Sequence, residues 1–143
     1  MRRVTTADLP RVEAFLTEAD LTVAGLDTAT LWMEQDAAGA ITSTTGFELA
    51  GAHALIRSVA VRPDLRGSGL GLRNAAFAIV EAQLAGATTA WLFSRRSGPF
   101  WQKLGFWHAP VEELAEALGE TAQVRLFAAT GQLTREVAWR RLL

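Results

Sequence analysis

Cysteine and tyrosine are absent from this sequence, lysine occurs once (Lys103), and the only histidines are His53 and His108. Without cysteine there is no disulfide, no thiolate metal ligand and no cysteine nucleophile. Two histidines are too few for an ordinary transition-metal site, so no metal is expected. Without tyrosine, no phenol can act as an acid. Charge of one sign is also missing: 14 basic and 15 acidic residues leave a net charge of −1. No basic field therefore argues for a nucleic-acid partner. No apolar run approaches the ~20 residues needed to cross a bilayer. The opening Met1-Arg2-Arg3-Val4-Thr5-Thr6-Ala7-Asp8 lacks a signal-peptide core, so a cytoplasmic protein without membrane contact is the expectation. What is present is ordinary for a globular protein: 143 residues, half apolar and a fifth charged. That length suits a single domain, 1–143, with a core of its own. No linker, low-complexity stretch or fixed-period repeat interrupts it.

The chain reads as strands first and a strand–loop–helix–strand unit later. Arg3–Thr5 is a short strand candidate. Asp8 can cap a helix with Pro10 in its first turn and Val12, Phe15 and Leu16 inward. Leu21–Thr30 is open between loop and a second short helix. Leu31–Gln35 and Ile41–Leu49 read as strands, and Gly51-Ala52 suits a two-residue hairpin turn. Ala54–Val61 is the most strand-like stretch, and Leu70–Leu84 a helix with Ala76, Ile79, Val80 and Leu84 at helical spacing. Thr88–Ser94 is a buried strand, Gly98–Leu104 a short helix, Phe106–His108 a strand, Val111–Leu118 a helix and Val137–Leu142 a last strand. Gly119–Thr134 carries no clear pattern. Together these predict a mixed α/β sheet with helices on both faces.

Between strand Ala54–Val61 and the helix lies Arg66-Gly67-Ser68-Gly69-Leu70-Gly71. A helix start presents unpaired N–H groups and about half a positive charge, which suits an anion. Glycines at 67, 69 and 71 permit left-handed angles and close approach of a phosphate, Arg66 adds a charged fork, and Pro63 stiffens the approach. A P-loop would need Gly-Lys-Ser/Thr where Leu72 and Arg73 stand. A dinucleotide fingerprint would need a glycine at Leu72. The remaining spacing, Arg-x-x-Gly-x-Gly, is met by Arg66, Gly69 and Gly71.

The stretch Ile56–Gly71 resembles the core motif of the GNAT acyltransferase superfamily. Phe100-Trp101-Gln102-Lys103-Leu104-Gly105-Phe106 looks like that family's F-Y-x-K-x-G-F segment, and Thr6–Pro10 resembles its usual start. The resemblance spans roughly residues 1 to 108. It implies a mixed, mostly antiparallel sheet of six to seven strands flanked by helices, and acetyl-CoA as cosubstrate. It implies that Val59, Ala60 and Val61 meet the pantetheine arm, that Arg66, Gly67, Ser68, Gly69, Leu70 and Gly71 hold the pyrophosphate, and that an N–H near Val59 faces the thioester oxygen. Gly46-Phe47-Glu48, Leu55–Ser58 and the C-terminal layout are also similar to the short N-acetyltransferases of arsenic-resistance operons.

Three departures bear on chemistry. The family's acid tyrosine is Trp101, which can contact the cofactor but cannot donate a proton. A thiol of pKa ~8.5 still leaves fairly well unassisted. The family's asparagine is Ser94, which keeps a hydroxyl for the cofactor. The family's glutamate base aligns with Leu55. In a hairpin turning at Gly51-Ala52, partners sum to 103, which sets Glu48 opposite Leu55 on one face. Glu48 could therefore supply the base, or stand as a solvated residue or the partner of Arg57. Arg57, expected on the face of Val59 and Val61, must be paired if buried, and either binds Glu48 or an anionic group of the substrate. Arg95 and Arg96 could serve an anionic substrate or an adenine phosphate, His108 could reach the cleft, and His53 is expected to be exposed. Trp32, Trp91, Trp107 and Trp139 are expected in the core, with Trp32 open to lining an acceptor pocket.

These features predict an acetyl-CoA-dependent N-acetyltransferase for a small amine. A non-catalytic acetyl-CoA-binding sensor or scaffold is the alternative. A nucleotide-binding domain of another type is disfavoured by the failed motifs. A homodimer is compatible, with the last strand and Trp139 offering an edge.

Overall fold

The computed structural model describes residues 1–143. Its strands are β1 (Arg2–Arg3), β2 (Thr30–Gln35), β3 (Ile41–Ala50), β4 (His53–Val61), β5 (Thr89–Phe93), β6 (Trp107–Ala109) and β7 (Ala138–Leu142). Its helices are α1 (Leu9–Glu18), α2 (Leu70–Leu84), α3 (Gly98–Lys103), α4 (Val111–Ala117) and α5 (Ala122–Thr130). One seven-stranded sheet has the order β1-β2-β3-β4-β5-β7-β6. Every pair is antiparallel except β4 with β5.

Alternation along the strands explains why helices cover both faces. Phe47, Ala54, Ile56 and Leu92 bury against α2 and α3, together with Trp101 and Phe106. The opposite face carries Leu31, Met33 and Ala60 against α1. On that same face Leu55 and Trp91 lie against α4 and α5. Gly46 is obligatory in this layout, since a Cβ there would run into the Thr30 carbonyl and the Leu31 side chain of β2. At the start of the chain, Asp8 accepts hydrogen bonds from Arg2 Nη1 (2.9 Å) and the Thr5 N–H (2.8 Å). These hold its carboxyl well below the usual carboxylate range, the Arg2 hydrogen bond foremost.

The hairpin turns where expected: Ala50 pairs with His53, Gly51 has φ +58, and Glu48 lies opposite Leu55. The pairing then breaks. Gly46 faces Arg57 but Thr44 faces Ala60, so Ser58 and Val59 together oppose Thr45 in a β-bulge. Ser58 takes φ +60, and its carbonyl accepts the Thr44 hydroxyl at 2.7 Å. The bulge reverses the alternation, so Arg57 does not share a face with Val59 and Val61. Val59 packs with the α2 cluster and Val61 lies beside Gly71, whereas Arg57 points to Glu48.

Other expectations are corrected by packing. Leu21–Thr30, open between loop and helix in the sequence, is loop and turns up to the start of β2, with Gly25 at φ +68. The buried face of α2 is Asn74, Ala75, Ala78, Ile79 and Ala82, while Val80 and Leu84 are exposed. Alanines let the helix lie close to the sheet around Ile79, and Val80 and Leu84 point outward. Trp107 is 74% exposed rather than core. The last strand is not an edge: β7 is inserted between β5 and β6, leaving the three-residue β6 outermost. The patternless segment after Gly119 contains α5, closed by Gly131 at φ +76.

Candidate functional site

Strands β4 and β5 pair only from His53–Leu55 to Thr89–Trp91. Beyond that, the bulge at Ser58 takes β4 away, and β5 runs out at Phe93 toward β7. A cleft of ≈ 310 Å³ opens between them. Its walls include Arg57, Ser58 and Val59 from β4 and Leu92, Phe93 and Ser94 from β5. Trp101 of α3 closes one side, and Gln123, Gln132 and Glu136 close another.

The glycine loop sits outside that cleft, at the head of α2. Gly67 and Gly69 have φ +81 and +84, and a Cβ on either would meet nothing within 4 Å. The space over the loop is thus open to a ligand. The first helical bond runs from the Arg73 N–H to the Gly69 carbonyl, so the N–H groups of Leu70, Gly71 and Leu72 have no acceptor in the helix. Ser68 Oγ donates to the Leu65 carbonyl at 2.6 Å and so braces the loop. Arg62 donates to Asp64 (2.7 Å) and Asp36 (3.0 Å), which lowers both carboxyls and pins the strand end before the loop. These groups fit a diphosphate: open space, convergent N–H donors and Arg66 exposed beside them.

Glu48 and Arg57 meet as a buried pair, Nη1 to Oε2 at 2.9 Å. Arg57 also donates to the Ala24 carbonyl at 2.6 Å and the Thr22 carbonyl at 3.1 Å. Burial lowers the Arg57 guanidinium, and Glu48 opposes that effect. Glu48 Oε1 accepts the Ala122 N–H at 2.8 Å, and Oε2 the Gln123 N–H at 3.4 Å. The pair therefore ties three segments together: the turns at 22–24, the hairpin and the start of α5. Arg57 reaches the cleft wall; Glu48 is not among the residues lining it.

Ser94 and Trp101 both line the cleft. The Ser94 hydroxyl is 2.6 Å from that of Ser97, and its carbonyl accepts Trp139 Nε1–H at 2.9 Å. Trp101 is held edge-on between Phe100 and Phe106. His53 is half-buried, its Nδ1 accepting the Trp91 indole N–H at 3.1 Å, instead of exposed. His108 lies against Trp139, outside the cleft, in a neighbouring depression. Trp32 packs on Phe47 and Phe77 and lines no part of the cleft.

Thr22, Gln123, Gln132 and Glu136 were not singled out by the sequence. They come from turns or from the patternless segment after Gly119, and no spacing links them to β4. Only the position of Glu136, a carboxylate just before the last strand, could have flagged one of them.

A sequence model of the acetyltransferase (GNAT) family matches residues 5–106. No curated protein matches the chain. Among solved structures, Rv2747 from Mycobacterium tuberculosis, in complex with CoA, is similar at 15% identity and TM-score 0.74, covering 99% of this chain and 98% of that one. The IAA acetyltransferase from Bacillus cereus is similar at 15% identity and TM-score 0.70, covering 99% and 97%. N-acetylglutamate synthase from Neisseria gonorrhoeae, complexed with coenzyme A and N-acetyl-glutamate, aligns at 17% identity and TM-score 0.75. It covers 99% of this chain and 34% of the synthase, so this chain spans about a third of that protein.

Proposed function

This chain belongs to the acetyltransferase (GNAT) family, and on that premise we propose that it transfers the acetyl group of acetyl-CoA to the nitrogen of a small amine. The observation that carries the reading is the cleft: two parallel strands part at a bulge beside a loop fit for a diphosphate. Acetyl-CoA supplies an activated acyl group on a thiol that leaves well at a pKa of ~8.5, so Trp101 in place of a phenol acid is tolerable. In this reading Arg66, Gly67, Ser68, Gly69, Leu70 and Gly71 hold the pyrophosphate through backbone N–H groups and the arginine fork. Val59, Ala60 and Val61 offer strand backbone to the pantetheine arm, and Ser94 and Trp101 flank it. The bulge turns backbone near Val59 toward the cleft, where an N–H can stabilise the charge that develops on the acyl oxygen.

Glu48 and Arg57 enter as positioning groups. Both carboxylate oxygens of Glu48 already accept protein donors, and protonating it would strip Arg57 of its counter-charge. The pair instead fixes the turns at 22–24 and the start of α5, which form the acceptor side of the cleft.

Calorimetry with acetyl-CoA and free-thiol release across amino acids, aminoglycosides and aromatic amino-arsenicals test the reading. Binding with thiol release dependent on one amine class is expected. Binding without release for any amine would leave a sensor or scaffold, and no binding would end both.

A further inference from the structure

We propose that Glu136 receives the acceptor as an ammonium ion and takes up its proton, which makes protonated aliphatic amines the substrate class. The proposal rests on the acetyl-transfer reading and assigns the proton acceptor which that reading lacks.

Glu136 stands at the head of β7, and its side chain is 6% exposed yet lines the cleft. The only other carboxylate in the cleft wall is Asp20, on an exposed turn. The partners of Glu136 converge on one oxygen: Gln132 Nε2 donates to Oε2 at 2.8 Å, and Arg95 Nε lies 3.4 Å from the same atom. No protein group donates to Oε1, in contrast to Glu48, whose two oxygens are both engaged. A largely buried carboxylate with one oxygen fixed and the other open is oriented to accept a ligand's N–H. In the same wall Gln123 Oε1 is buried with no donor, a second acceptor without a partner. An ammonium carries three donors and no acceptor, which suits the open Oε1 of Glu136 with an unpaired amide oxygen in the same wall.

The charged groups around Glu136 are few. Asp20, Arg57, Arg95 and Arg96 share the cleft, and His108 and Glu112 lie with Glu136 along the neighbouring depression. The ammonium gives one proton to Glu136, directly or through one water, and becomes a neutral amine. The nitrogen lone pair forms the N–C bond to the acetyl carbon, the C–S bond breaks, and its electrons leave on the coenzyme A thiolate. The amide nitrogen then loses its second proton to solvent or to the thiolate. Holding the ammonium beside the acyl group is the larger part of the role.

The test compares wild type with Glu136→Gln and Glu136→Asp, using as acceptor the best aliphatic amine of the panel and aniline as the amine that is neutral at pH 7. Glu136→Gln is expected to lower kcat/KM for the aliphatic amine by ~10²-fold at pH 7 and to move the acidic limb of its pH profile up to the ionisation of the amine itself, near ~10. It should weaken calorimetric binding of that amine to the coenzyme A-bound protein at least tenfold, and change aniline acetylation little. Glu136→Asp should retain the acidic limb at a reduced rate, and His108→Gln should leave it in place. Glu136→Gln with wild-type rate, limb and amine binding would overturn the proposal while leaving acetyl transfer intact. Equal loss with aniline would overturn it too. A wild type silent toward every amine would overturn both readings.

Discussion

Glu48 and Arg57 illustrate how one residue type in one place can serve two roles. A carboxylate opposite Leu55 satisfies the register for a base, yet its surroundings give it structural work. Its partner is the 2%-exposed side chain of Arg57, whose remaining donors go to two main-chain carbonyls and the Ser58 hydroxyl. Removing one member of such a pair leaves a buried charge uncompensated, which costs about 3–5 kcal/mol. Glu48→Gln is therefore expected to lower the urea unfolding midpoint by an amount equivalent to that figure. A midpoint equal to wild type would show that the pair carries no such load. Arginine is required here for its planar fork, which reaches one carboxylate and two carbonyls at once.

At the level of elements, the loop into α2 is where local sequence and function coincide. Gly69 is the residue before the helix and sits in the left-handed region at φ +84. An L-residue there costs roughly 1–2 kcal/mol, and its Cβ would project into open space where the diphosphate is proposed to lie. Gly69→Ala should weaken acetyl-CoA binding about tenfold by calorimetry, since a factor of ten corresponds to ~1.4 kcal/mol. Unchanged affinity would place the diphosphate elsewhere. The helix that follows shows how periodicity misleads. Apolar residues at 76, 79, 80 and 84 suggest one stripe, but of these only Ile79 belongs to the buried face, which is otherwise Asn74, Ala75, Ala78 and Ala82, and Asn74 Nδ2 donates to Ser43 Oγ at 2.6 Å. Small residues win that face because a 15-residue helix must lie close over β3 and β4.

For the whole molecule, the decisive feature is where β7 goes. It pairs with Phe93–Thr89 on one side and with all three residues of β6 on the other. It also brings Trp139 to Ser94, and its preceding residues bring Glu136 to the cleft. A chain ending at Arg135 would leave β5 and β6 with open edges and the core without Ala138 and Trp139. Its thermal melt, followed by near-ultraviolet circular dichroism, should lose cooperativity; a sharp melt like that of the full chain would show that β5 is held by β4 and the helices alone.

Features set by neighbours in sequence were legible without the fold: the turn at Gly51-Ala52, the Glu48–Leu55 register it enforces, the anion-suited start of α2 and the order of most elements. The family motifs at Ile56–Gly71 and Phe100–Phe106 lie in that category, which is why the mixed sheet and acetyl-CoA could be read from them. Tertiary structure alone decided the rest. The bulge at Ser58 depends on β3, and one extra residue there sends Arg57 to the face opposite Val59. Strand β7 takes its place through hydrogen bonds to two strands distant in sequence. The cleft exists because β4 and β5 part, and its open carboxylate comes from the turn into β7, far from β4 in sequence. Local backbone chemistry has a range of a few residues, whereas a site wall assembled from residues 22, 57, 94, 123 and 136 is set by packing.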